Sequence, residues 1–243
     1  MPLNISGSIV NSAIASTLNY KSIVTRGLVL HLDPSAAESY PQSGTVWCDL
    51  YTSSLALTLT NGPTYDPTAG SGSIVLDGID DYVSGLSAAF MDGASTGTFE
   101  AWVNISNRSS GASYAGVYNV ILGKASGPDN AFGFDGSGYI ALRLNSTTLT
   151  SSAIISLNTW GHVVGTWDTS GMRLYLNGSA SGNNALAKTW ETSIYPTQIG
   201  RLYSGSANGS FVGKMGNIKV YNRSLSAAEI LQNYNAQKSR FGY

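Results

Sequence analysis

The sequence predicts an all-β fold, an antiparallel sandwich of two sheets. The first observation is the stretch 157–182, where the runs HVVGTW and MRLYL are joined by the polar turn DTSG and followed by the hairpin signal NG. The second is that short runs rich in β-branched and aromatic residues recur between glycine-bearing turns. The third is that only one segment carries a clear helix-start signal.

The predicted strands follow one another closely along the chain. They cover residues 27–33, 73–76, 98–103, 120–123, 131–134, 139–144, 161–167, 172–176, 198–202 and 217–221, and the turn-rich segment 34–72 has short apolar pieces at 46–47 and 55–59. Side chains alternate between the faces of a strand, so Glu100 and Trp102 share one face of the strand 98–103. Trp160, Trp167 and Tyr175 are expected to pack one sheet on the other.

One helix is predicted near the C-terminus. The segment SAAE forms a capping box, in which the Ser226 hydroxyl and the Glu229 carboxylate each accept a backbone N–H of the other residue. Leu225 and Ile230 are placed to form a hydrophobic staple around this start. We expect the helix to end near Asn235 and to leave a basic tail that finishes in FGY.

The chain divides into an arm, residues 1–26, and one sandwich domain, residues 27–243. Within the arm, Val10, Ile14 and Leu18 stand at helical spacing, whereas Leu3 and Ile5 alternate as in a strand, and both readings stay open. The arm has more apolar residues than a solvated tail needs. We therefore expect it to anchor the domain to a partner or to another copy, the alternative being a frayed terminus.

Composition excludes several classes of partner. The net charge is −1 and charged residues make up 11% of the chain, so no basic surface for nucleic acid or for an anionic membrane is expected. Cys48 is the only cysteine, which excludes an intrachain disulfide. Polar residues interrupt the N-terminal apolar positions and no basic residue precedes them. We expect synthesis in the cytoplasm without a signal peptide.

No catalytic motif stands out. A glycosidase needs two carboxylates across the scissile bond, and none of the glutamates stands in an ExDxxE motif; they are Glu38, Glu100, Glu191 and Glu229. Glu100 is alone on its strand and is expected at the surface. Neither His31 nor His162 has a nucleophile motif beside it. The sequence therefore predicts a protein that is not an enzyme.

Several segments together resemble the laminin G-like, concanavalin A-like jelly-roll domain. They are IVLDGIDDYV, TFEAWV, the run 160–167, RLYLNG, IGR and GKMGNIKVYNRSLSAAEI, in that order over residues 27–235. The resemblance implies a two-sheet antiparallel jelly roll that is used mostly to bind proteins and glycans. A fold of this kind hosts many sites, so the resemblance alone does not fix one function.

The two ends of the domain carry a further resemblance. GLVLHLDP and EILQNYNAQKSRFG are similar to laminin G-like virion structural proteins of tailed bacteriophages. This resemblance implies a capsid-surface decoration protein, displayed on the virion by its arm, bound to other virion proteins and homo-oligomeric. The alternative is a glycan-binding adhesin, tail-associated or secreted, and a glycoside hydrolase is the third hypothesis.

An acidic cluster is the candidate calcium site. Asp77, Asp80 and Asp81 fall within five positions, and Ca²⁺ needs about six to eight oxygen ligands, so another loop would have to contribute. The competing reading is that Asp77 and Gly78 form a turn and that Asp80 accepts backbone N–H groups. Laminin G-like domains sometimes bind Ca²⁺, but Gly216 and Asn217 stand where the family often has an acidic pair. No other cofactor is expected.

Loop residues supply the candidate glycan site. Sugars are held by aromatic rings together with planar amide or carboxylate groups, and a host-surface glycan is the expected ligand. The suitable residues are Tyr114, Tyr118, Asp129, Asn130, Trp190, Tyr203 and Asn208. Nothing in the sequence brings these residues together in space.

Overall fold

The computed structural model describes residues 23–52, 54–108, 113, 115–124, 130–203 and 207–243. Over these residues the chain forms β-strands that we number in chain order. The first nine are β1 Leu28–Leu32, β2 Val46–Cys48, β3 Ala56–Thr60, β4 Thr64–Asp66, β5 Ser73–Asp77, β6 Tyr82–Ser84, β7 Gly97–Ile105, β8 Val117–Lys124 and β9 Asn130–Asp135. The others are β10 Tyr139–Leu144, β11 Thr147–Ile154, β12 Trp160–Asp168, β13 Gly171–Leu176, β14 Ser179–Asn184, β15 Gln198–Ile199, β16 Leu202–Tyr203, β17 Ala207–Asn208 and β18 Val212–Tyr221.

Two eight-stranded sheets form the sandwich. The first has the order β14-β13-β12-β7-β18-β5-β4, with β1 also paired to β18, and the second has the order β11-β10-β9-β8-β15-β6-β3-β2. The central neighbours are antiparallel and far apart in sequence, as in β7 with β18 and β8 with β15. The predicted two-sheet antiparallel jelly roll is confirmed. Strands β16 and β17 form a separate hairpin.

An aromatic cluster fills the space between the sheets. The ring of Phe99 lies 4.8 Å from that of Trp167, 4.9 Å from that of Trp190 and 6.1 Å from that of Phe132, measured between centroids. All four side chains are buried. Of the three residues expected to join the sheets, Trp167 does so, whereas Trp160 packs against Phe241 on the outer face of the first sheet, with 4.9 Å between ring centroids. Tyr175 instead packs with Val164, Tyr221 and Ile230 on the outer face of the first sheet.

The sequence did not predict the polar edge strands. Strands β11 (TTLTSSAI) and β14 (SASGNN) end the second and first sheets, respectively, and most of their residues are polar. Edge strands are partly solvated and need no apolar alternation, so a hydrophobic pattern does not reveal them. The predicted strand 198–202 is divided at Gly200, whose φ of +87° breaks the ladder.

The outer face of the first sheet is also buried, because the C-terminal helix α1, Ala227–Gln237, covers it. Glu100 is 1% exposed. One of its oxygens accepts from Lys219 Nζ at 2.8 Å and lies 3.1 Å from His162 Nε2, and the other accepts from Asn233 Nδ2 at 2.7 Å. The expectation of a surface role for Glu100 was wrong, because the sequence does not show that the helix covers this face.

The capping box is confirmed. The Ser226 hydroxyl accepts from Glu229 N–H and the Glu229 carboxylate accepts from Ser226 N–H. The helix runs two residues beyond the expected end and is followed by a 3₁₀ turn, Lys238–Phe241. This turn returns the tail onto the sheet, where the Phe241 ring stacks on Trp102 with 4.2 Å between centroids.

The arm meets the domain beside this helix. Residues 1–22 lie outside the described part of the chain, so the anchoring role of the arm stays a prediction. Ile23 and Val24 are buried, and Val24 N–H donates to Asn233 Oδ1 at 2.7 Å. Tyr221 Oη donates to the Val24 carbonyl at 3.0 Å. The last residues of the arm therefore pack as part of the sandwich.

Candidate functional site

An open polar groove of about 690 Å³ lies at the end of the first sheet where helix α1 begins. It is bounded by the end of β12, the adjoining strand β13, the connection from β18 to the helix, and the residue two before β1. The charged residues that line it are Arg26, Asp168, Arg173, Arg223 and Glu229, and Tyr175, Ser224 and Ser226 complete its polar lining. Its volume falls in the range of about 300–1,000 Å³ that small-ligand sites occupy.

Asp168 and Arg173 form one side of the groove. Asp168 begins the β12–β13 turn and accepts Ser170 N–H at 2.7 Å, while Gly171 continues the turn with a φ of +119°. Arg173 reaches back along the hairpin and its Nη1 lies 2.9 Å from Asp168 Oδ2. Burial raises the pKa of the Asp168 carboxyl, but these hydrogen bonds outweigh it and hold the pKa below its ordinary value.

Arg223 and Glu229 form the other side. The guanidinium of Arg223 binds the Glu229 carboxylate at both oxygens, at 2.6 and 2.9 Å, and lowers the pKa of that carboxyl to about 2. The backbone between Arg223 and Glu229 is held against strand β7, since Leu225 N–H donates to Thr98 Oγ1 at 2.9 Å. Bidentate pairing holds the guanidinium in one plane.

This arrangement presents fixed hydrogen-bonding groups to a ligand. Both carboxyl groups have lowered pKa values, so near neutral pH they are acceptors and neither is the protonated acid that glycoside cleavage uses. The arginines donate. The hydroxyls of Ser224 and Ser226 bond the carboxylates of Asp168 and Glu229, and their oxygens can still accept. Paired donors and acceptors on a rigid, open surface are suited to the hydroxyl groups of a sugar.

A second, smaller pocket lies on the other side of the β12–β13 turn. Its volume is about 190 Å³ and its lining includes Asn145, Thr169 and Lys188. Next to it, Glu191 Oε1 accepts from Asn145 Nδ2 at 2.7 Å and from Thr189 Oγ1 at 2.6 Å. Asp168 lines the groove and Thr169 lines this pocket, so both depressions share one turn.

Two of the expected glycan residues are buried. Trp190 is 0% exposed, because its ring packs edge-on against Phe99 and its backbone N–H donates to the carbonyl of Ala94 at 3.0 Å. Asn130 is also buried, and its Oδ1 accepts Asn145 N–H at 3.2 Å. These side chains support the sandwich, and neither presents a surface to a sugar.

Of the other five expected glycan residues, three lie in the described part of the chain. Tyr118 is half-buried on β8 beside Gly136. Tyr203 and Asn208 are in the β16–β17 hairpin, in adjacent pairs of its ladder. Tyr114 and Asp129 lie outside the described residues. A glycan role for these five residues stays a prediction.

The acidic cluster is brought together as expected. Ligand oxygens of Asp77, Asp80 and Asp81 lie within 4.8 Å of one another. Asp77 Oδ1 also accepts Ile79 N–H at 2.7 Å, and Asp81 Oδ2 accepts Asp77 N–H at 3.0 Å. Burial and the neighbouring carboxylates raise the pKa of Asp81. A turn at Asp77 therefore accounts for these hydrogen bonds, with Asp77 and Asp81 as the acceptors where Asp80 was expected, and calcium binding stays a prediction.

The groove residues were not singled out from the sequence. Arg26 precedes the domain, and Arg223 is nearly 200 positions further along the chain. A partial signal was available, because DTSGMR places an acid and an arginine on the two strands of one hairpin.

Among the described residues, no helix has the length and hydrophobicity of a membrane span.

A family model described as the concanavalin A-like lectin/glucanases superfamily matches residues 77–231. No curated protein matches the chain. Among solved structures, a Trypanosoma rangeli sialidase in complex with sialic acid is similar with a TM-score of 0.64 and 21% identity, over 91% of this chain and 35% of that chain. This chain thus spans about a third of the length of that sialidase.

Two further domains are also similar. Domain 4 of AbnA, an extracellular arabinanase from Geobacillus stearothermophilus in complex with arabinotriose, has a TM-score of 0.63 and 13% identity, over 85% of this chain and 98% of that one. The binding domain of Paraclostridial Mosquitocidal Protein 1 has a TM-score of 0.65 and 16% identity, over 87% of this chain and 52% of that one. At these identities the likeness establishes the fold.

The expectation that the chain is not an enzyme is overturned by these comparisons. Sialidases share the fold over 91% of the chain, and the family description includes glucanases as well as lectins. The expectation rested on missing sequence motifs, and motifs do not report residues that only the fold brings together. The fold leaves an enzymatic role open.

Proposed function

Because this chain belongs to the concanavalin A-like lectin/glucanases superfamily, we propose that it binds glycans and that the groove between the β12–β13 turn and the start of α1 is the site. The observation that carries the proposal is the groove itself, where two arginine–carboxylate pairs and two serines line one open depression. The AbnA domain adds support, since a domain of this fold and similar length was solved with arabinotriose.

A glycan array with the full chain tests the proposal. We expect binding to at least one oligosaccharide class, and at least a tenfold loss of affinity in Arg173→Gln, which removes a donor to the ligand and releases Asp168. The matched control is Arg143→Gln on β10 of the opposite sheet, whose side chain bonds Thr148 Oγ1. Absence of glycan binding, or equal losses in both variants, would contradict the proposal.

Display on a bacteriophage capsid surface is the second candidate, with the arm bound to other virion proteins or to another copy. It is favoured by an apolar groove of about 340 Å³ at the point where the arm enters the domain, lined by Ile23, Leu28, Leu50 and Tyr51. Tyr51 is 52% exposed. The sequence of the arm has several apolar residues and its end lines this groove, which suits an interface with a second copy.

Deleting residues 1–22 tests this second candidate. The cut spares Ile23 and Val24, so the sandwich is expected to stay folded while incorporation into particles, and self-association measured by sedimentation, are lost. A chain whose arm keeps its length but has serine at its apolar positions is the matched control, because it separates the loss of apolar side chains from the loss of length. Normal incorporation by the deleted chain would refute the arm as the anchor.

A further inference from the structure

The groove holds more positive than negative charge. Three guanidinium groups, those of Arg26, Arg173 and Arg223, line it together with two carboxylates, those of Asp168 and Glu229. The two carboxylates are engaged by Arg173 and Arg223. Among the described residues, no carboxylate pairs with Arg26, whose side chain is exposed. Since the chain as a whole has a net charge of −1, this surplus is a local feature.

The backbone of Arg26 is fixed. Its carbonyl accepts from Arg223 Nε at 2.9 Å, and the next carbonyl, that of Gly27, accepts Asn222 N–H at 2.8 Å. Gly27 has a φ of +78°, and a Cβ there would lie 3.0 Å from the Arg223 side chain. The positive φ and the close approach of Arg223 both favour glycine at this position, so Arg26 starts from a hydrogen-bonded turn at the edge of the groove.

A guanidinium without a protein carboxylate is suited to a ligand carboxylate. Arginine binds a carboxylate through two parallel N–H···O bonds, and such charge-assisted bonds are about twice as strong as neutral ones. The hydroxyls of Ser224 and Ser226 bond the carboxylates of Asp168 and Glu229, and each oxygen keeps a lone pair that can accept from a ligand hydroxyl. A ligand that carries one carboxylate among several hydroxyls would use both sets at once.

We propose that the groove selects acidic glycans, with the carboxylate of a sugar residue bound by Arg26 and its hydroxyls bound by the remaining polar groups. The inference rests on the proposed glycan-binding function and adds the charge of the ligand. Neutral sugars would use only the hydroxyl-binding groups and would bind more weakly.

The experiment uses the full chain and a panel of carboxylate-bearing oligosaccharides, each beside its carboxyl-reduced neutral form and a sulfated counterpart. We expect the carboxylate forms to bind at least about tenfold more tightly than the neutral forms, as the loss of a charge-assisted pair implies. Arg26→Gln should abolish this preference. Arg26→Lys should keep only part of it, because an ammonium has the charge but not the planar fork.

The outcomes separate this inference from the function on which it rests. Equal binding of carboxylate and neutral forms, lost in Arg173→Gln, would overturn the acidic preference and leave glycan binding in place. Equal binding of sulfated and carboxylate forms would overturn the carboxylate assignment. An acidic preference that survives Arg26→Gln would overturn the role of Arg26. If no glycan of either kind bound, both proposals would fall. Arg143→Gln is the charge-matched control.

Discussion

At the scale of single residues, two lysines on one strand illustrate how burial sets the contribution of an ion pair. Lys219 and Lys214 both lie on β18 and both bind a carboxylate at 2.8 Å, Glu100 and Asp66 respectively. The first pair is 0% exposed at both side chains, whereas the second is 35% and 23% exposed. A buried charge that loses its partner is strongly destabilising, whereas a surface pair contributes little.

Lys219→Met should therefore lower the free energy of unfolding by about 3–5 kcal/mol. The same substitution at Lys214 should change it by about 1 kcal/mol or less. Urea unfolding of both variants and of the natural chain measures the two values under identical conditions. Equal and small effects would show that water reaches the Glu100 cluster and would contradict the burial described above.

The second prediction at this scale concerns pH. Burial in β1, reinforced by the charge of Lys219, lowers the pKa of His31 from 6.5 to about 4. Below pH 6.5 the unfolded chain takes up a proton that the folded chain refuses until about pH 4. Stability is thus complete above pH 6.5 and falls as the pH drops towards 4, by up to about 3 kcal/mol.

His31→Gln removes this titration. Its unfolding free energy should depend less steeply on pH between 6.5 and 4 than that of the natural chain. Burial also lowers the pKa of His162, which contributes in the same direction, so part of the slope should remain. Parallel pH profiles for the variant and the natural chain would be inconsistent with the buried neutral His31.

At the scale of elements, the C-terminal helix and tail act as a cover for one sheet. Phe241 is 5% exposed and stacks on Trp102, which Tyr234 of the helix also contacts, with 5.7 Å between ring centroids. Gly216 on β18 makes room for this ring, because a Cβ there would lie 2.8 Å from it. The tail is thus fitted to its own domain, and Phe241 is not available to another copy.

Phe241→Ala should lower the free energy of unfolding by about 3–5 kcal/mol, as for other buried phenylalanines. It should also shift the tryptophan emission to the red, because Trp102 loses the ring that covers it. Leu231→Ala, on the exposed side of the helix, is the control and should have a small effect. An unchanged emission maximum in Phe241→Ala would mean that the tail does not cover the sheet.

The elements also show what the sequence could predict. Strands with apolar alternation, such as β7 and β13, and the capped helix are encoded locally. The edge strands β11 and β14 are held by pairing alone, so their sequences carry little signal. The helix covers the first sheet through contacts between segments that are far apart in the sequence, and no local pattern reveals such contacts. This is why Glu100 was expected at the surface and why the groove residues were not recognised.

At the scale of the whole molecule, the fold brings its two ends together. The last residues of the arm, the C-terminal helix and β18 meet around Asn233, which accepts Val24 N–H and donates to Glu100. The start of the same helix borders the groove. The end of the arm, the buried charge cluster and the candidate site are therefore parts of one connected region, while the opposite sheet supplies the other wall of the core.

From this region we predict that the domain boundary lies before Ile23 and not before Gly27. A chain of residues 27–243 loses the burial of Ile23 and Val24, the Tyr221 hydrogen bond and one partner of Asn233. Two buried aliphatic side chains contribute about 3 kcal/mol or more, which corresponds to a Tm lowered by roughly 6–12 °C in a domain of this size. A chain of residues 23–243 keeps all of these contacts, and its Tm should match that of the full chain.

Differential scanning calorimetry of the three chains measures the difference. Equal Tm values for 23–243 and 27–243 would move the boundary back to Gly27, and a Tm for 23–243 well below that of the full chain would give residues 1–22 a stabilising role within the same molecule.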